Sequence, residues 1–75
     1  MSTRLPATTA GKLRRVLRRV GWVEVRQHGS HVRLERDGQS ITIADHGDNT
    51  IIPRGTLGAT LKQAGMTADE LRRLL

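Results

Sequence analysis

Between Trp22 and Ala44 the chain falls into three alternating stretches separated by two turn signals, and this constrains the fold more than anything else in it. In Trp22-Val23-Glu24-Val25-Arg26-Gln27, the valines at 23 and 25 alternate with Glu24 and Arg26. Strict alternation of this kind marks a half-buried strand. His28-Gly29-Ser30 reads as a turn, with Gly29 free to take positive φ. The second strand, His31 to Arg36, puts Val32 and Leu34 on one face and His31, Arg33 and Glu35 on the other. Asp37-Gly38 is a two-residue hairpin signal. The third strand, Gln39 to Ala44, sends Ile41 and Ile43 inward and Ser40 and Thr42 outward. A three-stranded antiparallel meander follows, with one apolar face and one open face carrying Glu24, Arg26, His31 and Arg33.

A sheet with one apolar face needs a cover, and the flanking segments supply it. From about Ala10 to Val20, Leu13, Val16, Leu17 and Val20 recur at the spacing of one helix face. Thr8 and Thr9 are candidate N-caps and Gly21 a left-handed stop. The other face of this helix carries Lys12, Arg14, Arg15, Arg18 and Arg19 with no acid among them. Such a run is by default a solvated face. Like charges four apart repel, however, so an uncompensated row points to a binding role. After the polar loop Asp45 to Thr50, a second helix opens near Pro53, presents Leu57, Leu61 and Ala64 on one side, and ends at Gly65. Thr67-Ala68-Asp69-Glu70 fits a capping box for a short last helix with Leu71, Leu74 and Leu75 as its apolar side. The expected fold is α+β, ordered α-β-β-β-α with a short C-terminal helix and the helices on one sheet face. Residues 1–75 form a single domain in this reading, with 1–7 as a flexible arm.

Composition narrows the function. With 75 residues, no Phe or Tyr and one Trp, the core must be aliphatic. Trp22 fits a core plug better than a base-stacking platform. No stretch approaches the roughly 20 apolar residues of a membrane span. The N-terminal residues lack the apolar run of a secretory signal, and the absence of cysteine excludes disulfides and thiolate metal sites. A cytoplasmic protein without membrane association is expected. Thirteen Lys and Arg against seven acids give a net charge of +6, which suits nucleic acid or an acidic protein partner.

His31 is the candidate catalytic residue. Histidine is the side chain that titrates near neutral pH unaided, and alternation places His31 outside the core beside arginines. The pattern points to acid–base chemistry on a polyanion without a metal. His46 reads either as a loop residue bonded to a turn or as a helper histidine, and His28 as a turn residue. Zinc held by the three histidines lacks a compact ligand motif, and no cofactor is called for. Lys62 either complements the end of its helix or contacts a partner.

Several segments, taken in order, resemble one family. Arg26-Gln27-His28-Gly29-Ser30-His31 resembles the G-S-H segment of HicA-type toxins, also called the YcfA-like family. Ile43-Ala44-Asp45-His46-Gly47 resembles their V-P-x-H-G segment. Gly55-Thr56-Leu57 followed by Leu61-Lys62-Gln63-Ala64-Gly65-Met66 resembles their G-T-L-x-x-I-L-K-Q-A-G-I signature. The resemblance runs from about Gly11 to Leu75, and the chain departs from it at Ala44, for a proline, and at Thr60, for an isoleucine.

The resemblance implies a fold like the double-stranded-RNA-binding domain. It also implies a toxin that cleaves mRNA, is neutralised by a HicB-type antitoxin, and uses a histidine that falls on His31. Cleavage at a ribose 2′-OH needs a base, an acid and charge stabilisation, the last suited to arginine. His31 is then the acid or base, with Arg26 and Arg33 on the phosphate and Gly29 and Ser30 allowing close backbone approach. Lys12, Arg15, Arg19 and Lys62 complete the expected substrate surface. The alternative is a non-catalytic basic RNA-binding module; a third reading is an inactive protein whose basic surface docks an acidic antitoxin.

Overall fold

The computed structural model describes residues 4–47 and 49–75, so the first three residues of the expected arm and position 48 of the polar loop lie outside it. The order is α1 (Ala10–Arg19), β1 (Val23–His28), β2 (His31–Arg36), β3 (Gln39–Ala44), α2 (Arg54–Ala64) and α3 (Ala68–Leu74). The strands form one antiparallel sheet in the order β1-β2-β3. This is the α+β architecture that the alternating segments and helical stripes predict.

Local chemistry sets each boundary. Thr9 caps α1, its hydroxyl accepting from the Lys12 N–H at 3.3 Å. Gly21 at φ +100° turns the chain out of the helix, one residue before Trp22. The β2–β3 turn has both Asp37 and Gly38 at positive φ, +51° and +80°, as a type I′ hairpin requires. Gly65 at φ +68° is the left-handed cap of α2. Thr67 and Glu70 exchange both capping-box bonds at the start of α3.

One core joins the layers. Val32, Leu34, Ile41 and Ile43 from β2 and β3 pack with Leu13, Val16 and Leu17 of α1, Leu57 and Leu61 of α2, and Leu71 of α3. Trp22 is 1% exposed. It lies beneath the Arg36 guanidinium, 4.7 Å from the ring centroid, so it is the core plug its position suggested. Arg36 also donates to the carbonyls of Val20 and Ala64, tying α1 to the end of α2. Residues 4–8 carry no regular secondary structure. Leu5 nevertheless packs against the core and lies beside Gly58. Thr60, where the family pattern has isoleucine, is buried, and its hydroxyl donates to the Thr56 carbonyl at 2.9 Å.

β1 departs from its expected facing. Val23 and Val25, predicted inward, are 59% and 48% exposed. Glu24, predicted on the open face, turns toward α1. The cause is a bulge between Glu24 and Arg26. Glu24 pairs with the buried Leu34, whereas Arg26 pairs with the outward Arg33, and Val25 is the additional residue between them. β1 therefore adds no buried apolar side chain to the core.

Candidate functional site

The open face is a small lattice. Its first rung is His28 opposite His31, continued across β3 by Ala44. Its second is Arg26 opposite Arg33, continued by Thr42. The third carries Val23, Glu35 and Ser40. Directly opposed residues on one face hold their Cβ atoms about 4.5–5.5 Å apart, and rungs two residues apart are separated by about 7 Å. The helices all pack on the other face, and both histidines and both arginines are exposed.

Charge is unbalanced here. Like charges directly opposed across a strand pair destabilise the sheet, yet Arg26 faces Arg33. Arg33 donates to Glu35 at 3.2 Å, and Glu35 is the one carboxylate among the strands' outward residues. Arg26 has no ion-pair partner among the described residues. Val25, Arg26, Arg33 and Glu35 line a shallow hollow of about 320 Å³. Two guanidinium groups at its rim, one of them unpaired, give it the character of an anion site.

The turn at the end of the lattice keeps its backbone accessible. Gly29 sits at φ +60°, and a Cβ built there would meet nothing within 4 Å. The Ser30 carbonyl accepts from the Asp45 N–H at 2.5 Å, which ties the β1–β2 turn to the chain leaving β3. His46 follows Asp45, exposed and outside any strand.

On the helix side of the sheet, charges are paired. Arg14 binds Glu24 through two nitrogens, Nε to Oε2 at 2.9 Å and Nη2 to Oε1 at 2.7 Å. Its remaining Nη1 donates to Asp45 Oδ2 at 2.6 Å. Arg18 adds a bond to Glu24 at 2.9 Å, and the Gly47 N–H donates to Asp45 Oδ1 at 2.9 Å. Asp45 is only 8% exposed. The Arg14 bond and then the Gly47 N–H hold its carboxyl below the usual aspartate range. Glu24 is lowered chiefly by Arg14, against an opposing desolvation effect. Two cations of the α1 row that looked uncompensated in sequence, Arg14 and Arg18, thus find their acids on β1 and after β3.

The structure brings together His31, Arg26, Arg33, Gly29 and Ser30, and sets His46 beside the same end of the sheet. It does not bring Lys12, Arg15, Arg19 or Lys62 to them. Those four are exposed on the helical layer. Lys12 and Arg15 border Leu74 of α3 and the following Leu75 and, with Arg14 and Arg18, a separate cleft of about 230 Å³. Sequence reasoning missed His28 as a lattice member, although residues flanking a two-residue turn stand opposite one another. It also missed the Arg14–Glu24–Asp45 cluster, whose only signal was the lack of acids on α1.

Among the described residues, no helix is long and apolar enough to cross a membrane, and no three His, Cys, Asp or Glu stand together as metal ligands. No curated protein matches the chain significantly. The family model described as the HicA toxin of bacterial toxin–antitoxin systems matches residues 10–66, from the first residue of α1 through the sheet to just beyond α2. That span contains the whole lattice and the charge cluster behind it, and the chain belongs to the HicA toxin family.

Proposed function

We propose that this toxin is a metal-independent endoribonuclease that cleaves mRNA in the cytoplasm, with His31 transferring a proton. The observation that carries the reading is the setting of His31. It is an exposed imidazole on a strand, one rung from an opposed arginine pair and next to a turn with open space around its glycine.

The chemistry follows from these parts. A base removes the ribose 2′-OH proton, and the 2′-oxygen attacks phosphorus. The bond from phosphorus to the 5′-oxygen breaks, and an acid protonates that oxygen as it leaves. The products are a 2′,3′-cyclic phosphate and a 5′-hydroxyl. Arg26 and Arg33 hold the phosphate and offset the charge that builds on its oxygens. Gly29 and Ser30 let the RNA backbone approach. DNA is not cut, because it lacks the attacking hydroxyl.

Lys12, Arg15, Arg19 and Lys62 extend RNA binding around the helical layer by phosphate contacts that release counterions. A HicB-type antitoxin silences the toxin by covering the open face, and acidic residues on it would be steered there by charge. A complex in which His31 stays fully exposed contradicts that mode of inhibition.

The test is cleavage of RNA in EDTA by the wild type and by His31→Ala, with the product ends identified. Cyclic or 3′-phosphate ends from the wild type alone support the reading. If both proteins bind RNA and neither cuts it, the non-catalytic binding module is the better account.

A further inference from the structure

We propose that His28 is the second proton-transfer group, working opposite His31 across the scissile phosphate; this rests on the ribonuclease reading above. In an in-line displacement the attacking and leaving oxygens stand on opposite sides of phosphorus. One imidazole cannot take the first proton and deliver the second without moving, so the reaction wants two groups flanking one phosphate.

His28 and His31 are Cα partners at the end of the β1–β2 ladder, both exposed and on the same face. The two-residue turn between them fixes that opposition through the backbone, so neither imidazole depends on a loop for its place. Beside them, the Arg26–Arg33 rung supplies the cations that a bound phosphate needs about 7 Å further along the strands. On the other side of His31 stands Ala44, whose methyl group leaves room but has no proton to give. His46 lies two residues beyond Ala44 in irregular chain, and Asp45, through which it is anchored, is turned toward Arg14. Nothing in the packing calls for His28. It is outside the core, makes no hydrogen bond through its side chain among the described residues, and adds another potential cation to an already basic face.

The experiment compares single-turnover cleavage by the wild type, His28→Ala, His31→Ala and His46→Ala at a linkage first mapped with the wild type. Each is assayed on ordinary RNA and on RNA with sulfur in place of the bridging 5′-oxygen. A thiolate leaves without protonation, so the sulfur substrate relieves loss of the acid and not loss of the base, a readout that a structural role would not move. On ordinary RNA, His28→Ala is expected to be slower by about 10²–10⁴-fold, the usual worth of a positioned acid or base. His46→Ala stays close to the wild type. One of His28→Ala and His31→Ala, whichever lacks the acid, recovers on the sulfur substrate. Near-wild-type cleavage of ordinary RNA by His28→Ala overturns the proposal, as does recovery confined to His46→Ala or recovery by no variant. A wild type that cuts no RNA overturns the ribonuclease reading itself, an outcome distinct from a wild type that cuts while His28→Ala cuts equally well.

Discussion

Two groups of arginines lie on opposite sides of one small sheet and meet opposite fates. On the helix side, Arg14 and Arg18 are matched by Glu24 and Asp45 at 2.6–2.9 Å, and Asp45 is buried. On the open side, Arg26 and Arg33 oppose each other with Glu35 alone to balance them. The residue type is the same, so it is the neighbours that separate a structural cation from one available to a ligand. A guanidinium with its carboxylates built in holds elements together. A pair that the fold leaves unbalanced lowers the cost of accepting an anion, because the anion relieves a repulsion already present.

This contrast can be broken by substitutions on either side. Asp45→Ala should have the largest effect on stability. It leaves Arg14 without one partner and frees the chain after β3 from α1, at a cost of about 1.5–3 kcal/mol, the range for a hydrogen bond to a charged group. For a domain of this size that lowers Tm by roughly 4–8 °C per kcal/mol, which thermal unfolding followed by circular dichroism would read. A Tm within error of the wild type would remove Asp45 from the structural side.

The same cluster sets an acid limit. Asp45 and Glu24 both have folded-state pKa values below their unfolded ones. Their contribution is therefore fully present above the unfolded range of about 4 and is lost as pH falls through the folded values. Stability measured by urea unfolding should be level from neutrality to about pH 5 and then decline. In Asp45→Asn the decline should be shallower.

Arg33→Ala or Arg26→Ala should act the other way round. Each should slow RNA cleavage by about tenfold or more through loss of a charged phosphate contact. Neither should lower Tm, and relief of the cross-strand repulsion can raise stability by a few tenths of a kcal/mol. A clear drop in Tm with unchanged cleavage would place these arginines on the structural side after all. The smallest effect is expected for Lys12→Gln, Arg15→Gln and Arg19→Gln combined. Cleavage of a short RNA should change little, while binding of a long RNA should show a weaker dependence on salt, by about one unit of slope per lost contact.

Much of this architecture was legible in sequence, and the exceptions share a cause. The β2–β3 hairpin, the three helices and their caps follow from turn chemistry and periodicity, which are local. The facing of β1 was not legible. Val23 and Val25 alternate as inward residues should, but a bulge is a property of two paired strands, and the guanidinium that draws Glu24 inward comes from α1. The site divides in the same way. His31, Arg26 and Arg33 were readable from alternation because β2 is regular and Arg26 lies beyond the bulge. His28 looked like part of a turn, and only pairing across that turn makes it a neighbour of His31. The basic residues of α1 joined the expected surface on charge alone, and charge does not say how far a cation on the covering helix stands from the opposite, open face of the sheet.

The contrast between the two faces rests most directly on His31→Ala, followed by single-turnover RNA cleavage and thermal unfolding on the same preparation. The open face predicts a loss of about 10²–10⁴-fold in rate, with a Tm equal to that of the wild type. A variant that cleaves RNA at the wild-type rate would contradict the account.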